Sequence, residues 1–174
     1  MTGDIGADSS PAAAADHPDV LVRYSSDTMT KGANVARAAG TYQIWGWPVT
    51  LNHDRDQVSL DLQSDMVGLI IPTLLATEVT ATLSTRRSLP PVVVHPCAPT
   101  HRMLVCSEPF PVALPWPPGI MRVNAPLLLP PTRTSRGPLA WGAPPQPDGL
   151  RLCREIDAFA ALRTTLSNLV YPPR

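Results

Sequence analysis

Apolar and polar residues alternate most cleanly between Val49 and Leu62. Val49 and Leu51 have polar neighbours, His53-Asp54-Arg55-Asp56 supplies turn chemistry, and Val58, Leu60 and Leu62 resume the alternation. A period of two with one apolar face predicts a β-hairpin. Ser64-Asp65 marks a second turn, and the continuous apolar run from Val67 to Ile71 suits a central strand. Two windows on either side of this region change period. From Thr28 or Thr30 to about Trp45, the residues Ala33, Ala36, Ala39 and Tyr42 would share a helical face. Gly46 and Pro48 stand where a helix ends, although Gly40 weakens the pattern. From Thr73 to about Arg87, Leu75, Val79 and Leu83 recur at helical spacing. Thr73 is placed to cap this helix, and Arg86-Arg87 would suit its C-terminal dipole.

Short strands follow. Val92-Val93-Val94, Met103 to Cys106, Ile120 to Val123 and Leu127 to Leu129 are apolar runs bounded by proline or polar turns, and Trp141 opens a last short strand. Between Phe110 and Gly119 the prolines are dense enough to require an irregular crossover. Leu152, Ile156, Phe159, Leu162, Leu166 and Leu169 then follow the 3.6-residue period, predicting an amphipathic helix over about Leu150–Val170. Helix, hairpin, strand, helix, two pairs of strands and helix is the order of an α+β domain, with a mainly antiparallel sheet and helices packed on it. Its expected divisions are a disordered acidic tail over 1–27, the α+β domain over 28–147, and an amphipathic helix over 148–174 that packs on the domain.

Composition narrows this picture. The 174 residues hold 44% hydrophobic side chains, enough for one real core, but only 16% charged ones. The 22 prolines exclude long helices outside the windows above. No stretch has the ~18 consecutive apolar residues that span a membrane, and MTGDIGADSS has neither the basic nor the apolar part of a signal peptide. The expectation is a cytoplasmic protein whose Cys97, Cys106 and Cys153 are reduced.

Net charge is zero, which argues against a nonspecific nucleic-acid binder, but the charge is unevenly spread. Five acids accompany Arg23 between Met1 and Thr28. Arg86, Arg87, Arg102, Arg122, Arg133 and Arg136 accompany only Glu108 between Val79 and Pro147. That net +5 makes a basic face if the side chains converge, and an ordinary solvated surface if they do not.

Several clusters invite chemistry. His95, Cys97, His101 and Cys106 are zinc-ligand types, but their spacing matches no specific pattern, and surface histidines with core cysteines explain them better. Cys97 lacks the acid and oxyanion loop of a nucleophile site. Asp54, Asp56 and Asp61 resemble a carboxylate set, yet acids at 54 and 56 are what a turn favours. Trp45, Trp47, Trp116 and Trp141 could stack bases, but each adjoins glycine or proline and suits a core edge. No phosphate-cradling glycine motif occurs. No metal, cofactor or catalytic residue is assigned.

Leu127 to Trp141, LLLPPTRTSRGPLAW, holds the strongest candidate: a strand stopped by Pro130-Pro131 and followed by a polar loop with Arg133 and Arg136. With Gly46-Trp47-Pro48-Val49 and Val67 to Thr73 (VGLIIPT), the segment Gly119 to Trp141 resembles the N-terminal domain of the bifunctional DNA primase/polymerase family of actinobacterial and phage proteins. The likeness runs from about Ala38 to Pro145. It implies a primase/polymerase-like fold, with His101 where the family's nucleotide-contacting histidine would stand. The family's acidic pair, which binds two metal ions, is missing here. After VGLIIP come Thr73-Leu74-Leu75-Ala76, and the first acid is Glu78. The resemblance thus implies a fold whose polymerase chemistry has been lost. Two functions follow: binding of nucleic acid or a nucleotide phosphate by Arg102, Arg122, Arg133, Arg136 and His101, or a protein-interaction module that docks a partner on the proline-rich crossover.

Overall fold

The structure is a computed structural model that describes residues 19–62, 65–86, 88–145 and 152–170, with side chains between 32 and 169 in those ranges. Helix α1 (Asp19–Ile44) precedes a hairpin of β1 (Val49–Asn52) and β2 (Gln57–Leu60). Strand β3 (Met66–Pro72) runs directly into α2 (Thr73–Ser84). Strands β4 (Val92–Val94), β5 (His101–Ser107), β6 (Met121–Val123) and β7 (Leu127–Leu129) follow. A small hairpin of β8 (Arg133–Thr134) and β9 (Gly137–Pro138) leads to β10 (Ala140–Ala143), and α3 (Glu155–Val170) comes last.

The architecture is α+β and antiparallel. A five-stranded sheet has the order β10-β4-β5-β3-β6, and a three-stranded sheet the order β1-β2-β7. In the larger sheet β3 pairs with β5 along its whole length, from Met66 opposite Ser107 to Pro72 opposite His101. Both faces of that sheet are covered. Val67, Leu69, Ile71, Leu104 and Cys106 meet Ala76, Val79 and Leu83 of α2 and Ala158, Ala161 and Leu162 of α3. On the other face Met66, Val93 and Val105 meet Val35, Ala39 and Tyr42 of α1, with Val58, Leu60, Leu127 and Leu129 of the smaller sheet. Burial on both faces explains the unbroken apolar run of β3, since neither side of the strand faces water.

Helix α1 ends as its glycine foretells. Gly46 has φ 77°, its N–H donates to Gln43 O at 2.9 Å, and the N–H of Trp47 donates to Tyr42 O at 3.0 Å. These two bonds form a Schellman closure, and Trp47 stacks on Tyr42 with centroids 5.7 Å apart.

Four expectations need correction. Helix α1 spans Asp19–Ile44 and so reaches further back than the expected start at Thr28 or Thr30. Residues 1–18, most of the expected acidic tail, lie outside the described residues. Within α1 the buried face is Val35, Ala39 and Tyr42, while Ala33 and Ala36 face outward. Thr73 does not cap α2. Pro72 occupies the cap position without a side-chain bond, and Thr73 instead donates its N–H to Thr100 O at 2.9 Å and its hydroxyl to Pro99 O at 3.3 Å. Helix α3 begins at Glu155 rather than near Leu150. It buries Glu155, Ala158, Ala161, Leu162 and Thr165, leaving Leu169 66% exposed. The close approach of α3 to α2 favours small residues over the longest apolar row. No helix among the described residues is long and apolar enough to cross a membrane.

Candidate phosphate-binding site

Buried hydrogen bonds hold the base of the loop after Leu129. The Pro130-Pro131 bond is cis, and the Tyr42 hydroxyl donates to the Pro130 carbonyl. Trp141 Nε1 donates in turn to Tyr42 Oη at 3.2 Å. Burial raises the pKa of Tyr42, with the Trp141 bond acting in the opposite direction. Thr132 is fully buried. Its Oγ1 accepts the Val58 N–H at 2.9 Å and donates to Val58 O at 3.3 Å, so a side chain takes the place of a strand partner beyond the end of β7. The Leu139 N–H closes the base by donating to Thr132 O at 2.9 Å.

From that base β8 and β9 project as a tight hairpin. Thr134 Oγ1 donates to Gly137 O at 2.9 Å and accepts the Arg136 N–H at 3.3 Å. Gly137 has φ 132°, a conformation that a side chain disfavours. Arg133 and Arg136 are exposed, and among the described residues neither guanidinium makes a hydrogen bond or ion pair. The hairpin leans on the turn after β4, where Cys97 Sγ is 3.8 Å from Thr134 Oγ1. That turn is ordered locally: His95 Nδ1 accepts the Cys97 N–H at 3.1 Å.

Strand register decides which other arginines join this end of the larger sheet. β10 starts at Ala140 opposite Val94, the last residue of β4, and β5 starts at His101 opposite Pro72, the last residue of β3. Arg102 and His101 therefore lie at the same end as the β8–β9 hairpin. Arg102 Nη1 donates to Pro99 O and to His101 O, both at 2.9 Å. The side chain also lines a cleft of about 220 Å³ with Ala76, Thr77, Thr80, Val92, Gly142 and Ala143. His101 Nδ1 is 3.0 Å from Thr100 Oγ1.

Arg122 does not belong to this group. It sits on β6 opposite Leu69, on the face covered by α3, where its Nε donates to Glu155 Oε1 at 2.7 Å and its Nη2 to Glu155 Oε2 at 3.3 Å. Glu155 is 1% exposed and also accepts the Phe110 N–H at 2.6 Å. Arg122 is thus committed to a buried carboxylate, and its assignment to phosphate binding is corrected accordingly. Arg86 follows α2 at the opposite end of the sheet, and Arg87 lies outside the described residues. The six arginines therefore divide, and Arg102, Arg133 and Arg136 share one end.

Acids moderate that end. Because Val58 is bonded to Thr132, the β1–β2 turn carries Asp54, Arg55 and Asp56 towards the base of the hairpin. With Arg55 counted, the cations outnumber the acids. The turn explains its own carboxylates: Asp56 has φ 47°, which Asp tolerates, and Asn52 Oδ1 accepts the Arg55 N–H at 3.1 Å.

The remaining clusters separate. Cys97 is exposed and Cys106 is buried, and among the described residues no three His, Cys, Asp or Glu side chains are placed to hold a metal ion. Trp45, Trp47 and Trp141 pack with Tyr42, and Trp116 packs edge-on against Phe159 at 5.1 Å. Nothing in the residue pattern pointed to Tyr42 and Thr132 as clamps. The spacing of Thr77 and Thr80 on α2 was the one available hint of the cleft. No protein-family model, curated protein or solved structure matches the chain.

Proposed function

We propose that this domain binds the phosphates of a nucleic acid or nucleotide, with Arg133 and Arg136 as the primary contacts and Arg102 and His101 beside them, on a primase/polymerase-like fold without the family's acidic pair. One observation carries the reading: two exposed guanidiniums stand on a hairpin whose base is fixed by buried hydrogen bonds from Tyr42 and Thr132. A hairpin backbone held at its base loses little freedom on binding, so more of the arginines' charge-assisted hydrogen bonding goes into affinity. Arg102 supports the reading because Pro99 and His101 hold its guanidinium in place through Nη1 alone.

The test is binding of a labelled single-stranded oligonucleotide at low salt. Arg133→Ala/Arg136→Ala should weaken binding at least ~10-fold, as loss of two charge-assisted contacts implies. The logarithm of affinity should also fall with the logarithm of salt at a slope of about −2, the value for three phosphate contacts on a single strand. Binding that is absent at low salt, or unchanged in the double variant, would refute the proposal.

A further inference from the structure

Two core thiols have no part in the site above. Ser107, the last residue of β5, forms a parallel bridge with Arg154, just before α3. Its N–H donates to Cys153 O at 2.9 Å and its hydroxyl to Leu152 O at 3.0 Å. One position back in that register, Cys106 lies beside Cys153. Neighbouring strands run about 4.8 Å apart, and directly opposed residues of a parallel pair point to the same face. Both cysteines accordingly enter the core between the larger sheet and helices α2 and α3, each with no exposed surface. A Cα separation of about 5 Å falls within the range a disulfide accepts.

We infer that Cys106 and Cys153 are a dithiol pair that a peroxide oxidises to a disulfide, covalently tying the segment before α3 to the end of β5. The two thiols are not equivalent. Hydrogen bonding from the Cys106 thiol lowers the pKa of Cys153, and the Ser88 hydroxyl and the Ala158 N–H in the first turns of α3 act the same way. Cys106 is shifted well upward by its bond to Cys153 and by burial. Cys153, on the irregular segment just before α3, is the sulfur reached first and so the nucleophile, and Cys106, within β5, is the resolving thiol.

In the first step the Cys153 thiolate attacks one peroxide oxygen. The O–O bond breaks, Cys153 becomes a sulfenic acid, and the departing hydroxide takes up the proton that Cys153 lost, leaving as water. Cys106 then attacks the Cys153 sulfur. The S–O bond breaks, the S–S bond forms, and the hydroxyl leaves with the Cys106 proton as a second water. Two thiols have given up two electrons and two protons, and hydrogen peroxide has been reduced to two waters. A small oxidant suits sulfurs that are reached only when the short 152–154 segment opens.

The experiment uses the full chain carrying Cys97→Ser, which removes the exposed thiol. The protein is treated with hydrogen peroxide, and its intact mass, its peptide map and its thermal unfolding are measured with and without later reduction. The expected results are the loss of two hydrogens, a Cys106–Cys153 cross-linked peptide, and an unfolding midpoint raised by at least ~5 °C that dithiothreitol restores. If both thiols remain free, or if they gain oxygen without becoming linked, the proposal is overturned.

Discussion

Arg122 holds a carboxylate that is 1% exposed, so its loss would strand a charge inside the protein. Arg122→Ala should cost about 2–3 kcal/mol, somewhat less than the ~3–5 typical of a fully buried pair because the guanidinium is partly open to water. Urea unfolding measures that cost, and oligonucleotide affinity in the folded variant should stay at its wild-type value. Thr132 makes a complementary case. Thr132→Val keeps the shape and deletes the hydroxyl, leaving the Val58 amide buried without an acceptor. The expected loss is about 1–3 kcal/mol, and Thr132→Ser should retain most of the stability in the same unfolding experiment. Neither role was legible in the sequence. The partners Arg122 and Glu155 are 33 positions apart, and Thr132 and Val58 are 74 apart. Local patterns carry no information about pairings at such range.

Among the elements, those with a strong period were legible and those without one were not. The hairpin over Val49–Leu60 and the central strand at Val67–Ile71 stood out because strand alternation and two-sided burial leave marks on every residue. The β8–β9 hairpin is too short to show a period and could be expected only as a polar loop. On α3 the packing against α2 buries Ala158 and Ala161 beside the expected Leu162, while the expected Leu169 stays exposed. Tyr42, at the end of α1, joins two such elements by bonding to Pro130 and accepting from Trp141. Its folded-state pKa lies above the ordinary value of about 10. Below pH ~10 the residue is protonated in both states and its contribution is intact. As pH rises further the unfolded chain ionises first, so stability falls until the folded tyrosine also ionises. Thermal melts between pH 8 and 11 should show this alkaline decline, and Tyr42→Phe should reduce its slope at a cost of about 1 kcal/mol at neutral pH.

At the scale of the whole molecule, the two proposals occupy opposite ends of the larger sheet. One end carries the arginine hairpin, the 95–100 turn and the start of α2. The other carries the Ser107–Arg154 bridge and the paired thiols. Oxidation at one end should therefore leave oligonucleotide affinity unchanged, which lets the redox proposal and the phosphate-binding proposal fail independently. The fold class was legible because element order and alternation settle it. That Arg102, Arg133 and Arg136 lie at one end of the larger sheet was not, because it depends on strand register, which composition does not encode.

The strand order also bears on how the protein is made. The centre of the larger sheet is β5-β3, but its outer strands β6 and β10 and the covering helix α3 all come later in the chain. While the ribosome is still translating the segment between β5 and α3, Val67, Leu69, Leu104 and Cys106 have half their lid missing. The nascent domain must carry that greasy face through the cell until Glu155 to Val170 has been synthesised. Chaperone capture should be strongest on chains arrested before that helix and should fade once it emerges.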